Sequence, residues 1–418
     1  MKRRDFLVYA GVTGASLAAA RAPAQSRSFT AWGWPQPYTQ VSAQSVMWLR
    51  DQGWWPLKLG SQPGFTGMPV AIQRNFYKAR GLELETPGFL SGPAINEAVV
   101  ASRVQGGLSG NFPFTSLIAR DFPVRCIAVL NPNIKHAALV PSDSPLRSFG
   151  DLKSAAGDKP AFGIVTGSSA EFFFNEALRV HGMAPGKDVI LKNLAPPDML
   201  TMPGGLTGVV QWAPWVWDHL LMRKNARQLV SIFPYNFYMG NLYLRREIID
   251  KAPDVAQAVL DGLAEGILFT RYRPEEALTL TQADPIYQRF PKPMVERILA
   301  VVNNQYKPTW FYPHREFWAV ENGRVAKWLH ETGRLQRLIT PDMYSAIFDS
   351  RFADKTLETL GWRRPAQPPF LPAGWTGKVG QVPYPDYVNE DTMQGQQPFP
   401  EPGDLSRPWT FDGKVHAA

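Results

Sequence analysis

The stretch Ala161-Phe-Gly-Ile-Val-Thr-Gly-Ser-Ser-Ala-Glu-Phe-Phe-Phe-Asn175 decides how the rest of the chain is read. Residues 161–165 form the short apolar run of a buried strand, and Gly167 supplies a turn residue free of Cβ restrictions. Ser168 or Ser169 then caps a helix over 170–180. Gly182, an apolar strand over 189–194 and a break at Ala195-Pro-Pro-Asp198 complete a strand–helix–strand unit. Such a turn points free N–H groups and hydroxyls at one spot, which suits a carboxylate, sulfonate or other oxyanion. An ordinary helix start uses the same residues, so the turn by itself names no ligand. Two sharper motifs fail here. A phosphate loop needs a Lys after its second glycine, and a hydrolase nucleophile elbow needs G-x-S-x-G, whereas Gly167-Ser-Ser-Ala-Glu171 ends in Glu.

Working outward, a chain of 418 residues can bury a large core and has the length of two lobes. Its 44% hydrophobic and 19% charged residues describe a globular protein. The net charge of +8 is partly terminal, because Lys2, Arg3, Arg4 and Arg21 face only Asp5 in the first 24 residues. No later Lys/Arg run is long enough for a nucleic-acid track. The single Cys126 excludes an intrachain disulfide and a Cys-based metal cluster. The six His are scattered, none in H-x-x-x-H spacing, so the sequence supports neither a metal site nor any cofactor.

The N-terminus reads as an address. A basic start is followed by a mildly apolar stretch over 6–20 and by Ala22-Pro23-Ala24, the layout of an export signal over 1–24. The stretch is too short and too rich in Ala and Gly for a membrane span. Arg3-Arg4-Asp5-Phe6-Leu7 resembles the twin-arginine export motif, which places the mature chain in the periplasm.

Residues 25–56, with Trp32, Trp34, Trp48, Trp54 and Trp55, read as a surface-wrapping extension. Strand and helix patterns alternate from Pro56, which predicts α/β architecture with parallel-rich sheets flanked by helices. A first lobe is expected over 57–141 and 234–364, with a second over 142–233. The clearest helix runs from Pro253 to Tyr272, where Val255, Val259, Leu263 and Ile267 recur every fourth residue between Pro253 and Pro274. The region after it stays helical. Ten of the 38 prolines fall after Arg364, so 365–418 reads as an extended tail whose Trp375, Tyr384, Tyr387 and Trp409 pack along the body.

The order of these motifs resembles a family. The helix-and-strand stretch from Met68 to Glu85, the turn Gly107-Leu-Ser-Gly-Asn-Phe-Pro113, the second-lobe start Ser144-Pro-Leu-Arg-Ser-Phe-Gly-Asp-Leu-Lys153, Thr166-Gly-Ser-Ser169 and Gly208-Val-Val-Gln-Trp-Ala-Pro-Trp215 carry it. Together they resemble periplasmic solute-binding proteins of ABC transporters, of the nitrate, taurine, aliphatic-sulfonate and thiamine-pyrimidine-precursor type. The resemblance implies a type II two-lobed fold without catalysis, acting as a monomer. A small organic ligand would sit in the cleft, and the lobes would close about two crossings, near 141–145 and 233–241. The closed complex would dock on an ABC permease with its cytoplasmic ATPase. A permease-independent sensor, or a binder of a cationic or pyrimidine-like ligand, fits the same pattern. An enzyme of the pyrimidine-synthesis branch would need a His and iron-ligand cluster, which the sequence lacks.

Ligands in open α/β sheets lie at the carboxyl ends of parallel strands. That rule selects Gln62, Phe65, Ser91, Gly92, Asn111, Phe112, Gly167, Ser168, Ser169, Trp212 and Trp215. Tyr235 and Tyr238 lie where the chain returns between lobes. Phe172–Phe174 reads as packing. Glu171 leaves the ligand's charge open, because it suits the helix dipole but would repel an anion if it faced the cleft. In the family's Trp-x-Pro loop the middle residue is often Glu, and here it is Ala213.

Replacing Arg3 and Arg4 by Lys should leave precursor in the cytoplasm, read by fractionation. Normal export of that variant through the general secretion channel would remove the twin-arginine assignment.

Overall fold

The computed structural model describes residues 28–130, 134–153, 158–305, 315–360 and 376–385, with the short strands Trp409–Phe411 and Lys414–His416. The export segment expected over 1–24 and most of the expected tail lie outside the described residues.

Apolar runs buried on both faces, such as Val124–Leu130 and His136–Pro141, pair into two five-stranded sheets. The first runs in the order Leu84–Glu85, Leu57–Gly60, Gly106–Gly110, Gly240–Arg245, Val124–Leu130. The second runs Ile190–Asn193, Ala161–Ile164, Gly208–Trp212, His136–Pro141, Ala226–Ser231. Each begins with three parallel strands, and each has an antiparallel strand in its fourth place. That fourth strand is the crossing strand: His136–Pro141 arrives from the first lobe, and Gly240–Arg245 returns from the second. Each lobe is thus completed by the strand that enters it.

This corrects two boundaries. The strand His136–Pro141, expected in the first lobe, pairs with Gly208–Trp212 and Ala226–Ser231 in the second. The first crossing therefore lies before residue 136 and not near 141–145. The region after 253 is not a first-lobe element throughout. Tyr287, Phe290, Met294, Val295 and Ile298 pack in the second lobe's core, where Phe290 meets Trp215 at 5.1 Å. Farther on, Trp318, Ala319 and Ala326 of the helix Arg315–Glu331 pack in the first. Val325 and Leu329 of that helix join Phe112 of the first lobe and Phe172 of the second in a third apolar cluster.

The Trp-rich extension does more than wrap. It contains the helix Ala43–Asp51, capped by Ser42, and buries Trp34 and Leu49 in the first lobe's core. Its anchor is the helix Pro253–Tyr272, which is buried nearly all round and carries Glu265 inward. Glu265 pairs with Arg80 at 2.7 Å, with the two side chains only 0% and 2% exposed. Trp32 Nε1 and Tyr38 Oη both donate to the other carboxylate oxygen at 2.8 Å. The Arg80 guanidinium lies over the Trp34 and Tyr38 rings at 4.7 and 4.5 Å. A buried carboxylate is tolerated only when paired and hydrogen-bonded, and this one is both.

Tyr384 is the described part of the tail that packs as expected, 4.3 Å from the Phe237 ring.

Arg80→Met should cost about 3–5 kcal/mol of stability in urea unfolding, the range for stranding a buried charge. A loss below about 1 kcal/mol would show that the pair does not anchor the extension.

Candidate functional site

At the edge where the parallel strands of both sheets end, a cavity of about 20 Å³ is lined by Gln62, Gly92, Gly110, Pro113, His136, Ser168, Ser169, Trp212 and Tyr238. That volume holds about one water-sized group. Gln62 and Gly92 follow the strands Leu57–Gly60 and Leu84–Glu85, and Gly110 ends its own strand. Ser168 and Ser169 follow Ala161–Ile164, and Trp212 ends Gly208–Trp212. His136 and Tyr238 reach the same edge by the opposite route. They stand at, or just before, the amino ends of the two antiparallel crossing strands.

Three helices begin at this cavity: Gly92–Val100, Asn111–Ile118 and Ser169–Val180. The amino end of a helix carries partial positive charge. Gly167 turns into the third with φ of +82°, a conformation that disfavours a side chain. Ser168 caps this helix, accepting from the Glu171 N–H at 3.3 Å and donating to the Val165 carbonyl at 2.7 Å. Its hydroxyl is therefore used locally.

Ser169 is the hydroxyl that crosses the cleft. Its Oγ donates to Asn111 Oδ1 at 2.8 Å and accepts a long bond from the Phe112 N–H at 3.4 Å. Asn111 Nδ2 and Gln62 Oε1 are buried with no hydrogen-bond partner among the described residues. A buried donor and acceptor left unpaired are costly, and they are groups a ligand can satisfy.

Glu171, which left the ligand's charge open, turns away from the cavity. Its Oε2 accepts from the Gly167 N–H at 2.8 Å, and Arg334 holds its two oxygens at 2.8 and 2.6 Å. It closes the helix start and is neutralised there.

The remaining candidates divide. Ser91 is buried at the start of Gly92–Val100 without a side-chain cap bond. Phe65 packs in the first lobe's core, Trp215 in the second, and Phe112 in the cluster beside Trp328, so these three rings are off the cavity wall. Tyr235 Oη pairs with His181 Nε2 at 2.8 Å, also away from the wall. Phe172, Phe173 and Phe174 are all buried, although Phe172 packs toward Trp328 and not into its own lobe's core.

His136, Gly110 and Pro113 were not singled out by the sequence. The signal for His136 was its register: it lies opposite Trp212 once its strand is placed in the second sheet. Its Nδ1 lies 2.8 Å from the Ile134 carbonyl, which can only accept, so Nδ1 carries the proton. Burial pushes the imidazole down to about 4, against the Ile134 bond that favours the charged form. Burial pushes the Tyr238 phenol well up. Both are neutral at pH 7, and the cavity wall carries no formal charge. Among the described residues, no group of three or more His, Cys, Asp or Glu is placed to hold a metal ion.

Comparison with known proteins gives the lineage. The NMT1/THI5 like family model matches residues 62–277. The periplasmic aliphatic sulphonate binding protein SsuA from Escherichia coli is 22% identical with a TM-score of 0.58, covering 70% of this chain and 96% of that one. The alkanesulfonate-binding protein SsuA from Xanthomonas axonopodis pv. citri, solved with MOPS, is 19% identical at a TM-score of 0.59, covering 70% and 98%. The periplasmic nitrate-binding protein NrtA from Synechocystis PCC 6803 is 15% identical at a TM-score of 0.61, covering 73% and 88%. None of the curated proteins compared with the chain matches it. At these identities the solved structures establish the fold, and it is the two-lobed one built above from paired sheets and crossing strands. With more than half of its length matched, the chain belongs to the NMT1/THI5-like family.

Proposed function

We propose that this chain is the periplasmic solute-binding component of an ABC-type importer, closing its two lobes on a small organic anion such as a sulfonate or carboxylate. One observation carries the reading: three helix amino ends meet at a cavity between the lobes whose wall bears no carboxylate. Such ends favour negative charge. The residue that would have favoured a cation, Glu171, is bound bidentately by Arg334. Trp212 gives the wall an apolar face, which favours an organic anion over nitrate. The sulfonate and nitrate ligands named for the structural relatives agree with an oxyanion.

The ligand would take the place of the bond that now spans the cleft, from Ser169 Oγ to Asn111 Oδ1. Ser169 Oγ and Asn111 Nδ2 come from opposite lobes, so an oxyanion held by both binds only when the lobes are together. Closure and affinity are then one equilibrium.

Native mass spectrometry of protein exported to the periplasm should show a retained small anion, whose affinity is then measured by calorimetry. Ser169→Ala should weaken it by about 1–3 kcal/mol, the range for a hydrogen bond to a charged group. Binding of amines in place of anions, untouched by Ser169→Ala, would overturn the reading.

Closure has its own test at Gly110. A Cβ there would lie 2.4 Å from Ser169 Oγ and 3.0 Å from Tyr238 Cε2, across the cleft. Gly110→Ala should keep the lobes apart, so that small-angle scattering gives a larger radius of gyration than wild type at saturating ligand. An unchanged profile with unchanged affinity would argue for a rigid pocket.

A further inference from the structure

Helix amino ends supply partial charges, yet a monoanion moved into a closed cleft needs a full counter-charge or strong hydrogen bonds. No Lys or Arg lines this cavity. His136 is the lining side chain whose ordinary titration lies near neutral pH.

Its geometry limits what it can do. The Nδ1–H donates to the Ile134 carbonyl at 2.8 Å, and losing that proton would leave the carbonyl without its donor. Nε2 is therefore the nitrogen that gains or lacks a proton, and no described residue hydrogen-bonds it. Two other residues of the same cavity wall lie beside the ring, the Tyr238 ring at 4.7 Å and the Trp212 ring at 6.2 Å. The residue as a whole is 2% exposed.

The groups facing it leave its charge to the ligand. Tyr238, from the second crossing, is a neutral phenol, and Trp212, from the paired strand, does not titrate. Ser168, Ser169 and Gln62 are neutral. Lys135, the preceding residue, is buried, and the His136 shift has burial and the Ile134 bond as its causes. No carboxylate lies on the wall to hold His136 protonated.

We propose that His136 is the charge-selecting residue of the cleft, taking one proton from solvent at Nε2 as an organic monoanion binds, so that anion and proton enter together. The proposal rests on the oxyanion reading of the site. In balance, neutral His136, one proton and one monoanion give an imidazolium–anion pair, and no bond to carbon is made or broken. Net charge in the cleft is unchanged, which avoids stranding an unpaired anion in a low dielectric. Burial disfavours the imidazolium in the free protein, whereas the bound anion favours it. Affinity must then rise as pH falls from the bound-state pKa toward the free-state one, and level off below about 4.

Two probes that stay ionised between pH 6 and 8, ethanesulfonate and propionate, test this with the full mature chain. Calorimetry in buffers of different ionisation enthalpy should show proton uptake on binding of each probe, and Kd should rise with pH in that window, by up to about tenfold per pH unit. Ethanesulfonamide, a neutral isostere, should bind without uptake or pH dependence. His136→Gln keeps a neutral donor near Nε2 and should abolish the uptake and flatten the pH profile. Nitrogen NMR of labelled His136 should show Nε2 become protonated on saturation. Binding of a probe with no proton uptake, or with uptake retained in His136→Gln, would overturn the role of His136 alone. Failure of both probes to bind at millimolar concentration would overturn the oxyanion reading on which it rests.

Discussion

The guanidinium of Arg324 holds together parts of the chain that the two sheets alone would leave separate. It lies on the helix Arg315–Glu331 and bonds Glu321 of that helix at 2.8 Å, the Tyr235 carbonyl of the second crossing at 3.0 Å, and Tyr384 of the tail at 3.3 Å. It also pairs with Glu176 on Ser169–Val180, the helix whose amino end forms the cleft. Burial works to raise the Glu176 pKa, but the bonds from Arg179 and Arg324 win and hold it below the ordinary range. Removing Arg324 would leave the buried Glu321 without a counter-ion, which is costlier than never having had the pair. One turn past the helix end, Arg334 clasps Glu171 on the same second-lobe helix.

These pairs bear on what any opening of the cleft would cost. A protein joined only by crossing strands hinges at them. Here the second-lobe helix that starts at Ser169 is also gripped along its side by Arg324 and Arg334, and Phe112, Phe172 and Leu329 share an apolar cluster between the lobes. Any opening would either break these contacts or carry the C-terminal helices along with the second lobe. The same elements therefore set the position of Ser169 and the cost of moving it.

The strand exchange explains why the site is made of unlike parts. Parallel strands end at the cleft, so turns and helix starts deliver Gln62, Gly92, Asn111 and Ser169 there. Antiparallel crossing strands begin at the cleft, so the same edge receives His136 and Tyr238 from chain that is entering a sheet. Polar groups from strand ends and an aromatic-flanked imidazole from strand starts meet without any long loop.

The sequence by itself determined what depends on neighbours in the chain. Period and punctuation marked the strand–turn–helix of 161–175, the long helix between Pro253 and Pro274 and the α/β class, and motif order marked the family. Local rules also drew attention to the Ser168–Ser169 turn, because capping is a matter of three or four residues. Only the tertiary structure decided what depends on partners distant in the chain. Which sheet received 136–141 was set by pairing with Trp212, some 76 positions on in the chain. Glu171 was turned from the cleft by Arg334, 163 residues away, and Ser169 was separated in role from Ser168 by Asn111, 58 residues away. Phe65, Phe112 and Trp215 were drawn into cores by aromatic and apolar neighbours that no local pattern names. An apolar residue next to a binding turn gains as much from burial in a core as from facing a ligand, and only the packing around it chooses between them.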